Sequence, residues 1–134
     1  MIKTLIVEDD FTTRVMLQEI LKVYGNTHIA VNGREAIEAV QTAIKAGKPY
    51  DLICLDIMIP EMDGQDVLKE IRDLEKRLGV KPGKEVKVIM STALDDAKNI
   101  IEAFKGLCDA YLVKPIDRSQ LIKHMRNFKL IPSH

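Results

Sequence analysis

The stretch DLICLDIMIPEMDG, Asp51 to Gly64, runs four apolar residues, Leu52–Leu55, straight into an aspartate. Asp56 is followed by Ile57-Met58-Ile59, and Asp63-Gly64 then gives a turn signal ahead of a helical pattern. A short run that is apolar throughout is what a strand buried on both faces requires. An aspartate left unpaired in such surroundings is costly, so Asp56 needs a compensating group. A helix cap or turn residue is the plain reading of it. The rest of the chain points instead to a working group.

Four more runs of strand length flank this one: Thr4–Val7, His28–Val31, Val86–Met90 and Ala110–Val113. Between them the period becomes helical. Ala36, Ile37, Val40, Ala43 and Ile44 share one face, as do Val67, Leu68, Ile71, Leu74 and Leu78. Ile100, Phe104 and Leu107 mark a fourth helix, and Leu121, Ile122, Met125 and Phe128 a fifth. Thr12 to Tyr24 is a less regular first helix. Asn32-Gly33 signals a turn, Asp117 with Gln120 resembles a capping box, and Asp10 is read as the cap of the first helix. The charged run Arg72–Arg77 reads as the solvated face of the third helix, and Leu78–Glu85 (LGVKPGKE) as a loop rather than a partner contact. The order is (βα)5, an α/β fold with a doubly wound parallel five-stranded sheet and helices on both faces.

The ends of these strands carry the chemistry. The first ends in Glu8-Asp9-Asp10, the third in Asp56, the fourth in Ser91-Thr92 and the fifth in Lys114-Pro115. Ligands of open parallel sheets bind outside the carboxyl ends of the strands. Carboxylates gathered there repel one another and require a cation. Oxygen ligands of this kind suit Mg²⁺, which keeps several waters and binds phosphate alongside protein; Mn²⁺ can substitute. A carboxylate can also act as nucleophile toward a phosphoryl group, with the Lys114 ammonium steadying the charge and the Thr92 hydroxyl donating a hydrogen bond. Strand alternation points Ser91 and Thr92 in opposite directions.

Composition excludes several classes. The 134 residues suit one domain, taken as 1–134 with a core of about 3–128. Twenty basic residues balance twenty acidic ones, which predicts no nucleic-acid or membrane partner. No apolar run approaches the roughly 20 residues that span a bilayer, and MIKTLIVEDD is too short and acidic for a signal peptide, so a cytoplasmic location is expected. Cys54 and Cys108 show no zinc spacing, and Cys54 reads as a buried thiol. His28, His124 and His134 form no ligand pattern.

From LIVEDD through DLICLDIMIPEMDG and VIMSTA to YLVKPI, essentially the whole chain resembles the receiver domain of two-component response regulators. The resemblance implies a flavodoxin-like sheet of strand order 2-1-3-4-5 and a phosphorylation-activated switch. It implies Asp56 as phosphoacceptor. It implies Asp9 bound directly to the metal, Glu8 acting partly through water, and the Met58 backbone carbonyl as a further ligand. Thr92 matches the switch hydroxyl, Tyr111 the switch aromatic and Lys114 the lysine, whose bond to Pro115 is expected to be cis. Glu8-Asp9 stands where Asp-Asp is more usual. The expected donors are a histidine kinase or a histidine phosphotransfer protein. The expected output is an unidentified downstream protein docking on the face of helix 4, strand 5 and helix 5, with no output domain expected. Met58 and Leu94 occupy the two positions that influence hydrolysis of the aspartyl phosphate, and both are apolar.

Competing readings have distinct signatures. An aspartate-nucleophile phosphohydrolase carries a second Asp two residues after the nucleophile, where this chain has Met58. A flavodoxin-like nucleotide binder needs a Gly-rich loop after the first strand, where this chain has three acids. A phosphorelay intermediate and a constitutive, non-switching receiver share every residue named above.

Overall fold

The computed structural model describes residues 1–59, 61–93 and 108–132. Five parallel strands, β1 (Ile2–Val7), β2 (Gly25–Ala30), β3 (Leu52–Asp56), β4 (Lys87–Thr92) and β5 (Ala110–Val113), form one sheet in the order β2-β1-β3-β4-β5. The described helices are α1 (Phe11–Leu21), α2 (Gly33–Lys45), α3 (Gly64–Arg77) and α4 (Arg118–Asn127). The helix expected around Ile100–Leu107 lies outside the described residues, as do Leu94 and the segment around it.

Alternation along each strand divides the core into two layers. Leu5, Val7, Ile53, Leu55, Val88 and Met90 pack with Ala36 and Val40 of α2 and Val67, Leu68 and Ile71 of α3. Ile2, Ile6, Leu52, Cys54, Ile89 and Leu112 pack with Leu17 and Leu21 of α1 and Leu121 and Met125 of α4. The central strands are covered on both faces, which is why they read as unbroken apolar runs.

β2 departs from that reading. It starts at Gly25, three residues before the expected His28, and it alternates between half-buried and exposed positions up to Ala30. Its pairing with β1 runs from Ile2 opposite Gly25 to Val7 opposite Ala30. As an edge strand it is held by backbone bonds on one side, which polar residues such as Asn26 and Thr27 supply as well as apolar ones. The expected capping box at α4 is also only half formed. Asp117 accepts from Ser119 N–H at 2.7 Å, and no bond from Gln120 returns to it among the described residues. Asp10 caps α1 as expected, accepting from Thr13 N–H at 2.9 Å and Thr13 Oγ1 at 2.6 Å.

The charged run on α3 is a further correction. Arg72 and Glu75 turn inward: Arg72 Nη1 donates to Glu75 Oε1 at 2.8 Å and to the Val86 carbonyl at 2.9 Å, and its Nη2 reaches Asp109 at 3.2 Å. Glu75 is buried because Val86 N–H also donates to its carboxylate, at 2.8 Å. Two charges that look solvated in sequence thereby tie α3 to the start of β4.

Gly64 fixes the entry of α3 beneath the end of β3. Its N–H donates to the Ile57 carbonyl at 3.0 Å. A Cβ there would stand 2.7 Å from Ile57 Cα and 3.0 Å from the Asp56 carbonyl oxygen. Both obstacles are backbone, so neither can swing aside. Gly64→Ala is expected to destabilise the fold by about 1–3 kcal/mol, as overpacking does, and to displace the Asp56–Ile57 peptide. Urea denaturation gives the first effect and amide chemical shifts at Asp56 the second.

Candidate functional site

Parallel pairing brings the strand ends to one edge. Val7 lies opposite Leu55, Asp56 opposite Ser91, and Thr92 opposite Val113. The residues just past β1 and β5 and the last residue of β3 therefore meet there. Glu8, Asp9 and Asp56 each bring a carboxylate oxygen within 4.8 Å of the others. Glu8 is 1% exposed and Asp56 5%, while Asp9 faces solvent.

Lys114 crosses this cluster. Its Nζ donates to Glu8 Oε1 at 2.9 Å and to Asp56 Oδ2 at 3.0 Å. The remaining oxygens of the buried pair take backbone donors, Asp10 N–H to Glu8 Oε2 at 3.3 Å and Met58 N–H to Asp56 Oδ1 at 3.1 Å. Sequence separations of 106 and 58 residues make the two lysine contacts products of topology. Sequence reading gave the lysine to the site but not its bridge to Glu8. The Lys114–Pro115 peptide is cis, as expected.

The electrostatics follow from burial. The Glu8 carboxyl is pushed up to about 7, first by burial and then by its neighbour Asp56, with Lys114 opposing. Burial alone would lower the Lys114 ammonium. Its hydrogen bonds to Glu8 and Asp56 outweigh that and raise it. Once Glu8 is ionised, three carboxylates against one ammonium leave two negative charges uncompensated, the charge of one divalent cation. The donor set, all oxygen and partly open through Asp9, fits Mg²⁺.

A pH dependence follows. Because the folded Glu8 carboxyl titrates above its ordinary 4.5, the folded chain keeps a proton that the unfolded chain has released between pH 4.5 and about 7. Stability is therefore expected to fall as pH rises through that window and to level off above it. A divalent ion needs the carboxylate form, so its stabilising effect is expected to grow across the same window. Urea midpoints measured with and without Mg²⁺ check this; an ion effect independent of pH there contradicts it.

The two expected switch residues differ in setting. Thr92 is buried, and among the described residues its hydroxyl donates to the Ala93 carbonyl at 3.4 Å, long for an O–H···O bond. Tyr111 is 43% exposed on the edge strand β5, so it is not a core residue. Met58 is 67% exposed just beyond Asp56. One neighbour went unnoticed in sequence: Arg14 Nη1 approaches the Glu8 carbonyl at 3.4 Å from one turn into α1. Its position four residues after the cap Asp10 is the signal that could have found it. Cys54 is free, fully buried, and its thiol is pushed up to about 12 by burial, so it takes no part in the chemistry.

An acidic cluster bridged by a lysine thus lies at the carboxyl edge of a sheet of order 2-1-3-4-5. The response regulator receiver domain model matches residues 4–126, and the chain belongs to that family. It is 33% identical over 123 residues to the chemotaxis protein CheY of Thermotoga maritima, covering 90% of this chain and 92% of that one. It is 33% identical over 121 residues to the transcriptional regulatory protein ZraR of Escherichia coli, 90% of this chain and 24% of the relative, so it spans about a quarter of ZraR's length. Among solved structures, it is similar to the receiver domain in the complex of the Saccharomyces cerevisiae phosphotransfer protein Ypd1 with the response regulator Ssk1. That match has a TM-score of 0.78 and 28% identity, over 95% of this chain and 88% of the other. It is also similar to the receiver domain of a sensor histidine kinase of Pseudomonas aeruginosa PAO1, solved with magnesium in its active-site cleft. There the TM-score is 0.74 and the identity 26%, over 96% and 98% of the two chains. No helix among the described residues is long and apolar enough to cross a membrane.

Proposed function

We propose that this chain is a phosphorylation-dependent signalling switch whose Asp56 accepts a phosphoryl group from a phosphohistidine. The observation that carries the reading is the pairing of a buried, strand-terminal Asp56 with Lys114 inside a cluster of three carboxylates. In the transfer an Asp56 carboxylate oxygen attacks phosphorus, the P–N bond of the donor breaks, and the leaving imidazole takes a proton. Glu8, Asp9, Asp56 and the Met58 carbonyl would hold Mg²⁺, which when bound neutralises charge on the phosphoryl oxygens. The magnesium-bearing Pseudomonas neighbour supports that ligand class. The Ssk1 neighbour supports a histidine phosphotransfer protein as donor, alongside a histidine kinase.

Lys114 already bonds the acceptor carboxylate and meets the arriving phosphoryl charge as an ammonium. Thr92, whose hydroxyl makes a long bond to the Ala93 carbonyl, turns toward the phosphoryl group. Tyr111, exposed on β5 two residues before the Thr92 partner Val113, then moves inward, and the edge formed by β5 and α4 changes for a downstream protein. Met58 offers no acid or base two residues past Asp56, which disfavours a phosphohydrolase.

The test is intact mass after incubation with acetyl phosphate. One added phosphoryl group with Mg²⁺, and none when the ion is chelated, is the expected result. Uptake indifferent to chelation contradicts it. The phosphorylated form should also be long-lived, because neither Met58 nor Leu94 can orient an attacking water. Met58→Asn is expected to shorten its lifetime by about tenfold or more, as read from the decay of the phosphorylated mass.

A further inference from the structure

The connection from α3 to β4 is more than a spacer. Within it Lys81-Pro82-Gly83-Lys84 forms a tight turn, Lys84 N–H donating to the Lys81 carbonyl at 2.9 Å. Proline second and glycine third, with Gly83 at φ 89°, define a type II turn. Such a turn brings the backbones of its first and last residues, Lys81 and Lys84, close together. Glu75 pins the loop at both ends: Val80 N–H donates to its backbone carbonyl at 2.9 Å and Val86 N–H to its carboxylate at 2.8 Å. The loop is thereby preorganised.

Behind it lies a cavity of about 260 Å³, at the end of the sheet opposite the acidic cluster. Val40 and Ile44 of α2, Tyr50 and Ile53 around the start of β3, and Val80 and Val86 of the loop wall it. The exposed Lys81 and Lys84 also line it, and neither enters an ion pair among the described residues. The Glu75 carboxylate, also in the wall, is matched by Arg72 at 2.8 Å and by Val86 N–H, so its charge is not presented to a ligand. The cavity opens to solvent, and its accessible apolar wall is made by the half-buried Ile44 and Val80.

We propose that this cavity binds a small organic carboxylate with an aromatic or branched hydrocarbon body. The body lies against Ile44 and Val80, the half-buried walls, and the carboxylate pairs with Lys81 and Lys84. The inference does not depend on the chemistry at Asp56. The apolar wall selects the body, and the two ammonium groups select the sign of the head.

Methyl NMR titration of the full chain with hydrocinnamate, and with its neutral amide, tests it. Saturable shifts are expected at the methyls of Val40, Ile44, Ile53, Val80 and Val86, with the amide about tenfold weaker, the worth of one charge-assisted bond. Lys81→Gln with Lys84→Gln should bring the carboxylate down to the affinity of the amide and leave the amide unchanged. Both lysines are exposed, so this variant is not expected to disturb folding. Val80→Phe should plug the cavity and remove both ligands while Mg²⁺-dependent phosphoryl uptake persists. Shifts that stay linear into the millimolar range, or that scatter over the surface, overturn the site. Equal affinity for acid and amide overturns the role given to the lysines.

Discussion

Asp56→Asn is expected to take up no phosphoryl group from any donor, with Mg²⁺ at saturation and the fold intact. The amide keeps the shape of the carboxylate and can still accept one of the two hydrogen bonds now made, from Met58 N–H or from Lys114. It has no anionic oxygen with which to attack phosphorus. Stability should not suffer greatly, because one of two adjacent buried carboxylates has been removed while Lys114 keeps Glu8 at 2.9 Å. Asp56 helps to hold the Glu8 carboxyl up at about 7, so Glu8 should titrate lower in this variant. Divalent-ion affinity should fall by more than about tenfold, since even a group behind a ligand commonly costs that much. Intact mass, ion titration and a pH series of urea midpoints read these three effects separately. A phosphorylated Asp56→Asn chain would place the acceptor elsewhere.

Lys114→Met should have the largest effect on stability. The methionine fills similar space but leaves Glu8 and Asp56, both almost fully buried, facing each other without a cation. Removing one partner of a buried pair costs about 3–5 kcal/mol. The lysine is 26% exposed, so the lower end of that range, about 3 kcal/mol, is expected here. The sign with pH is specific. Lys114 lowers the Glu8 carboxyl in the parent, so without it Glu8 titrates above about 7: the loss is smallest at low pH, where the carboxyl is protonated, and grows as pH rises past 7. Mg²⁺ should restore part of it by supplying the missing charge. Phosphoryl uptake should slow by about a hundredfold, the scale of losing one preorganised donor to developing negative charge. Denaturation curves with and without Mg²⁺ give the first result and single-turnover mass measurements the second. A variant as stable as the parent above pH 7 would mean that Lys114 does not compensate the acids.

Much of this was legible in the chain because central strands of a parallel sheet are covered on both faces and therefore spell themselves as apolar runs. β5 falls where the run Ala110–Val113 put it, and β3 ends on the aspartate that its run leads into. β2 was blurred because an edge strand needs only a half-buried alternation, which Gly25–Ala30 barely signals. The carboxylates, hydroxyl and lysine could be assigned to one edge from strand ends alone, since topology does the gathering. The bridge from Lys114 to Glu8 could not, because it depends on the side-chain geometry of residues 106 apart. The inward turn of Arg72 and Glu75 was hidden for a related reason. A charged helix face looks solvated until a neighbouring strand start, here Val86, offers its own backbone groups to it. The cavity under the Lys81–Lys84 turn was invisible in the same way, since its walls come from three separate stretches of sequence.

Borohydride reduction of the phosphorylated chain, followed by peptide sequencing, bears most directly on the acceptor. An aspartyl phosphate is reduced to homoserine, whereas a free aspartate survives. The prediction is homoserine at position 56, only after treatment with donor and Mg²⁺. An unreduced Asp56 in a chain that carries one phosphoryl group would contradict the account.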